Sequence, residues 1–93
     1  MAWTIEYTAT ARKQLRKLDR QEARRILDFM DERVGRDGNP RSNPRSTGKA
    51  LKGPLLGEFW RYRVGDYRIL CDIQDNKLCV LVIEIGNRRE VYR

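Results

Sequence analysis

The sequence predicts an α+β domain in which a helical hairpin covers one face of an antiparallel β-sheet. Apolar residues follow helical spacing between residues 8 and 34, and they alternate with polar residues between 58 and 85. Two turn dipeptides, Gly65-Asp66 and Asp75-Asn76, divide the second region into three strands. A chain of 93 residues is long enough for one modest core, so we expect a single domain over residues 1–93.

The N-terminal part is predicted to contain a strand followed by two antiparallel helices. Residues 2–7 alternate with period two and include aromatic and β-branched types, which is typical of a strand. Thr8 or Thr10 can cap the first helix, and Asp19 with Glu22 forms a capping-box-like start for the second. The apolar stripes of the two helices consist of Ala11, Leu15, Leu18, Ala23, Ile26, Leu27, Met30 and Val34.

Residues 58–85 are predicted to form a three-stranded antiparallel meander that buries one face against the helices. A two-residue turn at Asp75-Asn76 would place residue 72 opposite 79 and residue 71 opposite 80. Cys71 and Cys79 would then point to opposite faces, as reduced packing residues. The predicted core face comprises Trp60, Tyr62, Val64, Tyr67, Ile69, Cys71, Ile73, Leu78, Val80 and Val82. The other face, called the open face below, carries Arg61, Arg63, Arg68, Leu70, Asp72, Cys79, Leu81 and Ile83.

Three cations are predicted to share one patch of the open face. The Gly65-Asp66 turn brings Arg68 opposite Arg63, and Arg61 lies two residues before Arg63. Like charges directly opposite each other destabilise a strand pair, so this arginine cluster indicates an anionic ligand. The net charge is +7, and 15 of the 20 basic residues are arginines, whose planar donor fork suits phosphate. Nucleic acid fits best; a solvated basic surface is the alternative.

Residues 37–50 are predicted to form a basic loop. Asn-Pro-Arg-Ser occurs twice, at 39–42 and 43–46, and proline cannot donate to a strand ladder. A loop that touches nucleic acid and an ordinary solvated loop both fit this pattern. The basic residues of this loop are Arg41, Arg45 and Lys49, and Lys52 lies just beyond it.

The composition argues against a metal site, a membrane span and export. The chain has no histidine and only two cysteines. No apolar run reaches the roughly 18 residues that span a bilayer, and the first residues do not resemble a signal peptide. We expect a soluble cytoplasmic protein that holds no metal or cofactor.

Four segments resemble the RelE branch of the RelE/ParE toxin superfamily: Leu51-Lys52-Gly53, Trp60-Arg61-Tyr62-Arg63, Asp66-Tyr67-Arg68-Ile69 and Gly86-Asn87-Arg88-Arg89-Glu90-Val91-Tyr92. The resemblance covers nearly the whole chain and implies the RelE-like microbial ribonuclease fold. It also implies a type II toxin that enters the ribosomal A site and cleaves mRNA there. The implied chemistry is metal-independent attack by a ribose 2′-hydroxyl on the adjacent phosphate. The implied inhibitor of the toxin is an acidic RelB-like antitoxin.

The resemblance implies roles for five residues. Arg61 and Arg63 fall where the family places basic residues that activate the hydroxyl and contact phosphate. Arg68 matches the arginine that stabilises the phosphorane, Arg88 the cation near the leaving oxygen, and Tyr92 the tyrosine that stacks on the nucleotide. Further RNA contacts are expected from Arg41, Arg45, Lys49, Lys52 and Arg89.

The proton-transfer groups are not identified by the sequence. Asn87 stands where many relatives have histidine, and guanidinium groups hold their protons too tightly to act as bases. We therefore expect electrostatic stabilisation and alignment of the hydroxyl to contribute most. The carboxylates that might serve as base are Glu58, Asp66, Asp72 and Glu90.

Two other functions fit the sequence. A ParE-like toxin on the same scaffold would bind DNA gyrase and cleave no nucleic acid. A small basic domain of this kind that only binds an antitoxin or RNA is the third alternative.

Overall fold

The computed structural model describes residues 3–34, 44–45, 47–51 and 59–87, and it confirms the predicted α+β class. Two helices pack on a five-stranded mixed sheet with the strand order β1-β5-β4-β3-β2. The elements are β1 (Thr4–Tyr7), α1 (Ala9–Lys17), α2 (Arg20–Phe29) with a π-helical turn (Met30–Val34), β2 (Lys49–Ala50), β3 (Phe59–Val64), β4 (Tyr67–Gln74), a 3-10 turn (Asp75–Lys77) and β5 (Cys79–Asn87). The predicted meander corresponds to β3, β4 and β5.

The core lies between the helices and one face of the sheet. Ile26 and Met30, one helical turn apart on the α2 side, are fully buried, as are Tyr62 of β3 and Ile69 of β4. Their burial follows the predicted apolar stripe and the predicted core face of the meander. None of the helices in the described part of the chain is long and apolar enough to cross a membrane.

The two helix starts differ from each other. Thr8 caps α1 as predicted, because its hydroxyl accepts a hydrogen bond from the Ala11 amide at 3.1 Å. Asp19 is the N-cap residue of α2, but its side chain makes no capping hydrogen bond. The predicted capping box at Asp19 and Glu22 is therefore wrong, although the helix begins where the sequence indicates.

The turn between β4 and β5 corrects the predicted register. Asp75–Lys77 form a 3-10 turn, and Leu78 closes it in a left-handed conformation at φ 50°. Contrary to the prediction, Leu78 is only partly buried and lies outside the core. Gln74 pairs with Cys79, which places residue 72 opposite 81 and residue 71 opposite 82. The register differs from the prediction by two residues. Because side chains alternate with period two, this shift leaves Cys71 and Cys79 on opposite faces.

A β-bulge in β5 changes which residues face the core. Val82 pairs with Cys71 and Glu84 pairs with Leu70, so Ile83 is the extra residue without a partner in β4. The alternation is reset at this point. Glu84 joins the open face beside Leu70, whereas Ile85 takes the next core position with 2% exposure.

The outer edge of β5 is covered by two structures in succession. β1 runs parallel to β5 as far as the pair Tyr7 and Val82. Beyond that point the Thr8 hydroxyl donates to the Ile83 carbonyl at 2.7 Å, and the Ile85 amide donates to the side-chain oxygen of Gln14 at 2.6 Å. The N-cap residue Thr8 and the Gln14 side chain of α1 thus satisfy the part of the edge that β1 is too short to reach.

Candidate nucleic-acid interface

The arginine cluster lies on the open face at one end of the β3–β4 hairpin. Gly65, at φ 58°, forms the turn, and Arg63 pairs directly with Arg68 as the sequence predicts. Arg61 lies opposite Leu70 in the same strand pair, so it is a diagonal neighbour of Arg68. Directly opposite Cβ atoms are about 5 Å apart and diagonal ones about 7–8 Å apart, within the reach of arginine side chains. One phosphate group can therefore contact all three guanidinium groups.

Lys49 is a fourth cation beside this cluster. The sequence predicts it in a loop, but the structure places it in β2, directly opposite Arg61. The short strand forms because tertiary contacts hold the preceding residues against β3. Trp60 Nε1 donates to the Thr47 carbonyl at 2.8 Å, and the buried Tyr62 hydroxyl donates to the Pro44 carbonyl.

Gly48 permits the close approach of this segment to β3. Its φ is +84°, and a Cβ atom there would lie 2.5 Å from the Arg61 carbonyl oxygen. A side chain at this position would force the two strands apart. The position of Lys49 next to Arg61 thus depends on a glycine one residue earlier.

Arg45 occupies a different part of the molecule. Its guanidinium donates to both carboxylate oxygens of Asp75 at 2.8 Å, in the turn at the far end of β4. This hydrogen bond raises the pKa of Arg45 and holds the pKa of the Asp75 carboxyl below its usual range. Seven residues of strand separate Asp75 from Arg68, about 23 Å at 3.3 Å per residue. The structure therefore does not bring Arg45 together with the arginine cluster, and its predicted RNA contact would be to a distant nucleotide.

Several predicted site residues lie outside the described residues: Arg41, Lys52, Glu58, Arg88, Arg89, Glu90 and Tyr92. Their predicted roles stay predictions, as do the catalytic roles of the three clustered arginines. Asn87, at the end of β5, pairs with Tyr67.

Glu84 is the carboxylate that the sequence reasoning missed. It is half-buried and faces the same side as Leu70, its partner in β4. Asp66, one of the predicted candidates, is exposed in the hairpin turn, and Asp72 lies two positions beyond Leu70 along β4. Simple alternation from Val82 assigns Glu84 to the core face, so no local signal in the sequence could have found it. Only the bulge reveals its side.

The other half of the open face is apolar, with one unusual polar contact. The Cys79 thiol donates to the Glu6 carboxylate at 3.0 Å, next to the half-buried Leu81. Burial, and then the hydrogen bond and charge of Glu6, raise the pKa of Cys79 to about 11. Cys71 lies in the core, where burial raises its pKa, and both cysteines are free thiols. The two thiols are thus protonated packing groups at neutral pH.

A cleft of about 440 Å³ lies where α1 meets the start of β4 and the end of β5. Its lining residues are Gln14, Lys17, Leu18, Tyr67, Glu84, Ile85, Gly86 and Asn87. Within the described ranges, no group of three or more His, Cys, Asp or Glu side chains is placed to hold a metal ion.

Comparison with known proteins decides the family. Residues 5–92 match the model of the ParE toxin of the type II toxin–antitoxin system parDE. The chain belongs to the RelE/ParE superfamily of type II toxins. Within the superfamily, this toxin is 31% identical to Toxin RelG of Mycobacterium tuberculosis over 93 residues, which is 100% of the chain and 99% of the relative. It is also 33% identical to Toxin RelE of the same organism over 89 residues, covering 96% of the chain and 84% of the relative. These relatives place the toxin in the RelE branch.

Solved structures agree on the fold. The toxin–antitoxin complex RelBE2 of M. tuberculosis matches with a TM-score of 0.76 and 27% identity, covering 97% of this chain and 95% of the other. The archaeal RelE–RelB complex of Pyrococcus horikoshii matches with a TM-score of 0.70 and 23% identity, covering 98% of this chain and 100% of the other. The predicted RelE-like fold is confirmed.

Proposed function

We propose that this toxin is a ribosome-dependent endoribonuclease that cleaves mRNA in the A site. The observation that carries the proposal is the convergence of Arg61, Arg63 and Arg68 on one patch of the open face. Such a patch does not help the hairpin to form, since like charges opposite each other destabilise a strand pair. It matches what binding and cleavage of a phosphodiester need. Membership of the RelE branch supports the same assignment.

The proposed reaction is attack by the 2′-hydroxyl oxygen on the adjacent phosphorus, without a metal ion. The P–O5′ bond breaks, leaving a 2′,3′-cyclic phosphate and a 5′-hydroxyl end. Arg68 and Arg63 neutralise the charge that builds on the non-bridging oxygens, and Arg61 aligns the attacking hydroxyl. One donor aimed at such an oxygen contributes about 3–4 kcal/mol, and enforced geometry about 7 kcal/mol or more. Arg88 and Tyr92 are proposed to contact the leaving side and to stack on the nucleotide.

The proposed inhibitor is an acidic RelB-like antitoxin. The solved relatives of this fold include RelB–RelE complexes. The open face of this toxin combines cations with Leu70, Leu81 and Ile83, which suits an acidic amphipathic segment. Salt should weaken the complex but leave it assembled, because apolar burial persists when charges are screened. Complete dissociation at moderate salt would instead indicate purely electrostatic docking.

Ribosomes programmed with a defined mRNA test the proposal. The purified toxin should cut the A-site codon, and Arg68→Ala should cut it about 10²–10³ times more slowly. Arg24→Ala is the matched control, because Arg24 is an exposed residue of α2 paired with Asp28 on the helix surface. The control should retain full activity. Intact mRNA after incubation with wild-type toxin would refute the proposal.

Inhibition of DNA gyrase is the second candidate function. The observation that favours it is the description of the matching family model as a ParE toxin. A supercoiling assay with the same protein preparation separates the two functions. Loss of supercoiling without loss of mRNA would establish the gyrase function in place of the ribonuclease.

A further inference from the structure

Two residues of opposite charge flank the arginine cluster. Lys49 of β2 lies opposite Arg61, Arg61 lies opposite Leu70, and Leu70 lies opposite Glu84 of β5. These four residues form one line across four strands of the open face. A cation therefore borders the cluster on one side and a carboxylate borders it on the other.

Both flanking groups lie within reach of a phosphate bound by the arginines. Glu84 is a diagonal neighbour of Arg68, and Lys49 is a diagonal neighbour of Arg63, which puts each Cβ pair about 7–8 Å apart. Gly86, two residues after Glu84, lies directly opposite Arg68, so β5 places no side chain at that position of the open face. The Cα atoms of Lys49 and Glu84 are three strand spacings apart, about 14 Å at 4.8 Å each. Long side chains from the two ends can approach opposite sides of one phosphodiester.

We propose that Glu84 and Lys49 are the proton-transfer pair of the reaction, an inference that rests on the proposed ribonuclease function. A carboxylate can accept a proton and an ammonium group can donate one, whereas a guanidinium only donates. The Glu84 carboxylate takes the proton of the 2′-hydroxyl as its oxygen bonds to phosphorus. Lys49 gives a proton to the 5′-oxygen as the P–O5′ bond breaks. Solvent then returns both groups to their starting protonation states.

The other described candidates are less well placed. Asp72 lies four residues along β4 from Arg68, about 13 Å away, and accepts a hydrogen bond from Gln74 at 3.2 Å. Asp66 is exposed in the turn, and the Cys79 thiol faces Glu6 in the apolar half of the open face. The bulge in β5 instead places Glu84 on the open face, in the same cross-strand row as Leu70 and Arg61.

Single-turnover cleavage of ribosome-bound mRNA tests the pair. Glu84→Gln and Lys49→Met should each slow cleavage about 100-fold or more, the typical contribution of a general acid or base. Binding of both variants to the programmed ribosome should fall far less than the cleavage rate, and thermal unfolding should match wild type. Glu32→Gln, in the π-helical turn after α2, and Lys77→Met, in the 3-10 turn, are matched substitutions at exposed positions and should leave the rate unchanged. Wild-type rates in both flanking variants would overturn the inference.

An mRNA with sulfur in place of the 5′-bridging oxygen at the cut site separates the two roles. A thiolate leaves without needing a proton, so this substrate should restore most of the rate lost in Lys49→Met. It should restore nothing in Glu84→Gln, because the 2′-hydroxyl must still be deprotonated. Equal rescue of both variants, or of neither, would overturn the assigned roles. Failure of wild-type toxin to cut either mRNA would instead refute the proposed function itself.

Discussion

Replacing Gly48 with alanine should lower the free energy of unfolding by about 2–5 kcal/mol. Gly48 has a φ of +84°, a left-handed conformation that costs a residue with a side chain about 1–2 kcal/mol. The added Cβ would lie 2.5 Å from the Arg61 carbonyl oxygen and 2.5 Å from Trp60 Nε1. The carbonyl belongs to β3 and cannot rotate away. Forcing it aside adds the roughly 1–3 kcal/mol typical of an overpacked site.

Gly65→Ala is the matched control for the backbone cost. Gly65 is also left-handed, at φ +58°, but the nearest atom to its added Cβ is Arg25 Nη1 at 3.3 Å. That atom ends a flexible and exposed side chain, which can move at little cost. Gly65→Ala should therefore cost only the left-handed term of about 1–2 kcal/mol. The difference between the two variants measures the collision with β3.

Urea unfolding followed by circular dichroism gives the two free energies, and thermal unfolding provides a second measure. In a domain of this size each kcal/mol lowers Tm by roughly 4–8 °C, so Gly48→Ala should melt at least about 4 °C below Gly65→Ala. Equal stability of the two variants would refute the reasoning. It would mean that the segment before β2 yields without cost and that packing does not fix Lys49 beside Arg61.

Three further predictions concern buried and paired polar groups. Tyr62→Phe removes the donor to a loop carbonyl and should cost about 1–3 kcal/mol in urea unfolding; an unchanged midpoint would contradict this. Glu6→Gln removes a charge that raises the pKa of Cys79. Iodoacetamide should therefore modify the Cys79 thiol of the folded variant faster than that of wild type at pH 9. Equal rates of modification would contradict the assigned cause. Arg45 depresses the folded-state pKa of Asp75, so wild type should be more stable than Asp75→Asn at pH 7. This difference in stability should disappear as pH falls through the depressed pKa. A difference that persists in acid would argue against the ion pair.

The helices and the first hairpin could be predicted because short-range interactions specify them. Thr8 caps α1 by accepting a hydrogen bond from the Ala11 amide, only three residues away. Ile26 and Met30, both fully buried, are one helical turn apart in the apolar stripe of α2. Gly65 supplies the left-handed conformation that a two-residue turn needs. That turn alone sets Arg63 opposite Arg68.

The second hairpin was predicted with the wrong register because its turn has no comparable local signal. Asp75-Asn76 resembles a two-residue loop, but the chain closes two residues later through Leu78. The longer turn brings Val80 opposite Ile73 and Val82 opposite Cys71, and both valines are fully buried. Packing of the whole sheet against the helices outweighed the local preference.

The sequence by itself determined that this toxin carries an arginine cluster on one face of a hairpin. Alternation and a two-residue turn act over a few residues, and they leave Arg61, Arg63 and Arg68 no other arrangement within that hairpin. Tertiary structure alone decided what borders the cluster. Lys49 lies beside Arg61 because side chains of β3 bond the carbonyls of Pro44 and Thr47. Glu84 faces the open side because of a bulge whose position depends on the pairing of β4 with β5. Such pairings join residues far apart in sequence, so no local pattern records them.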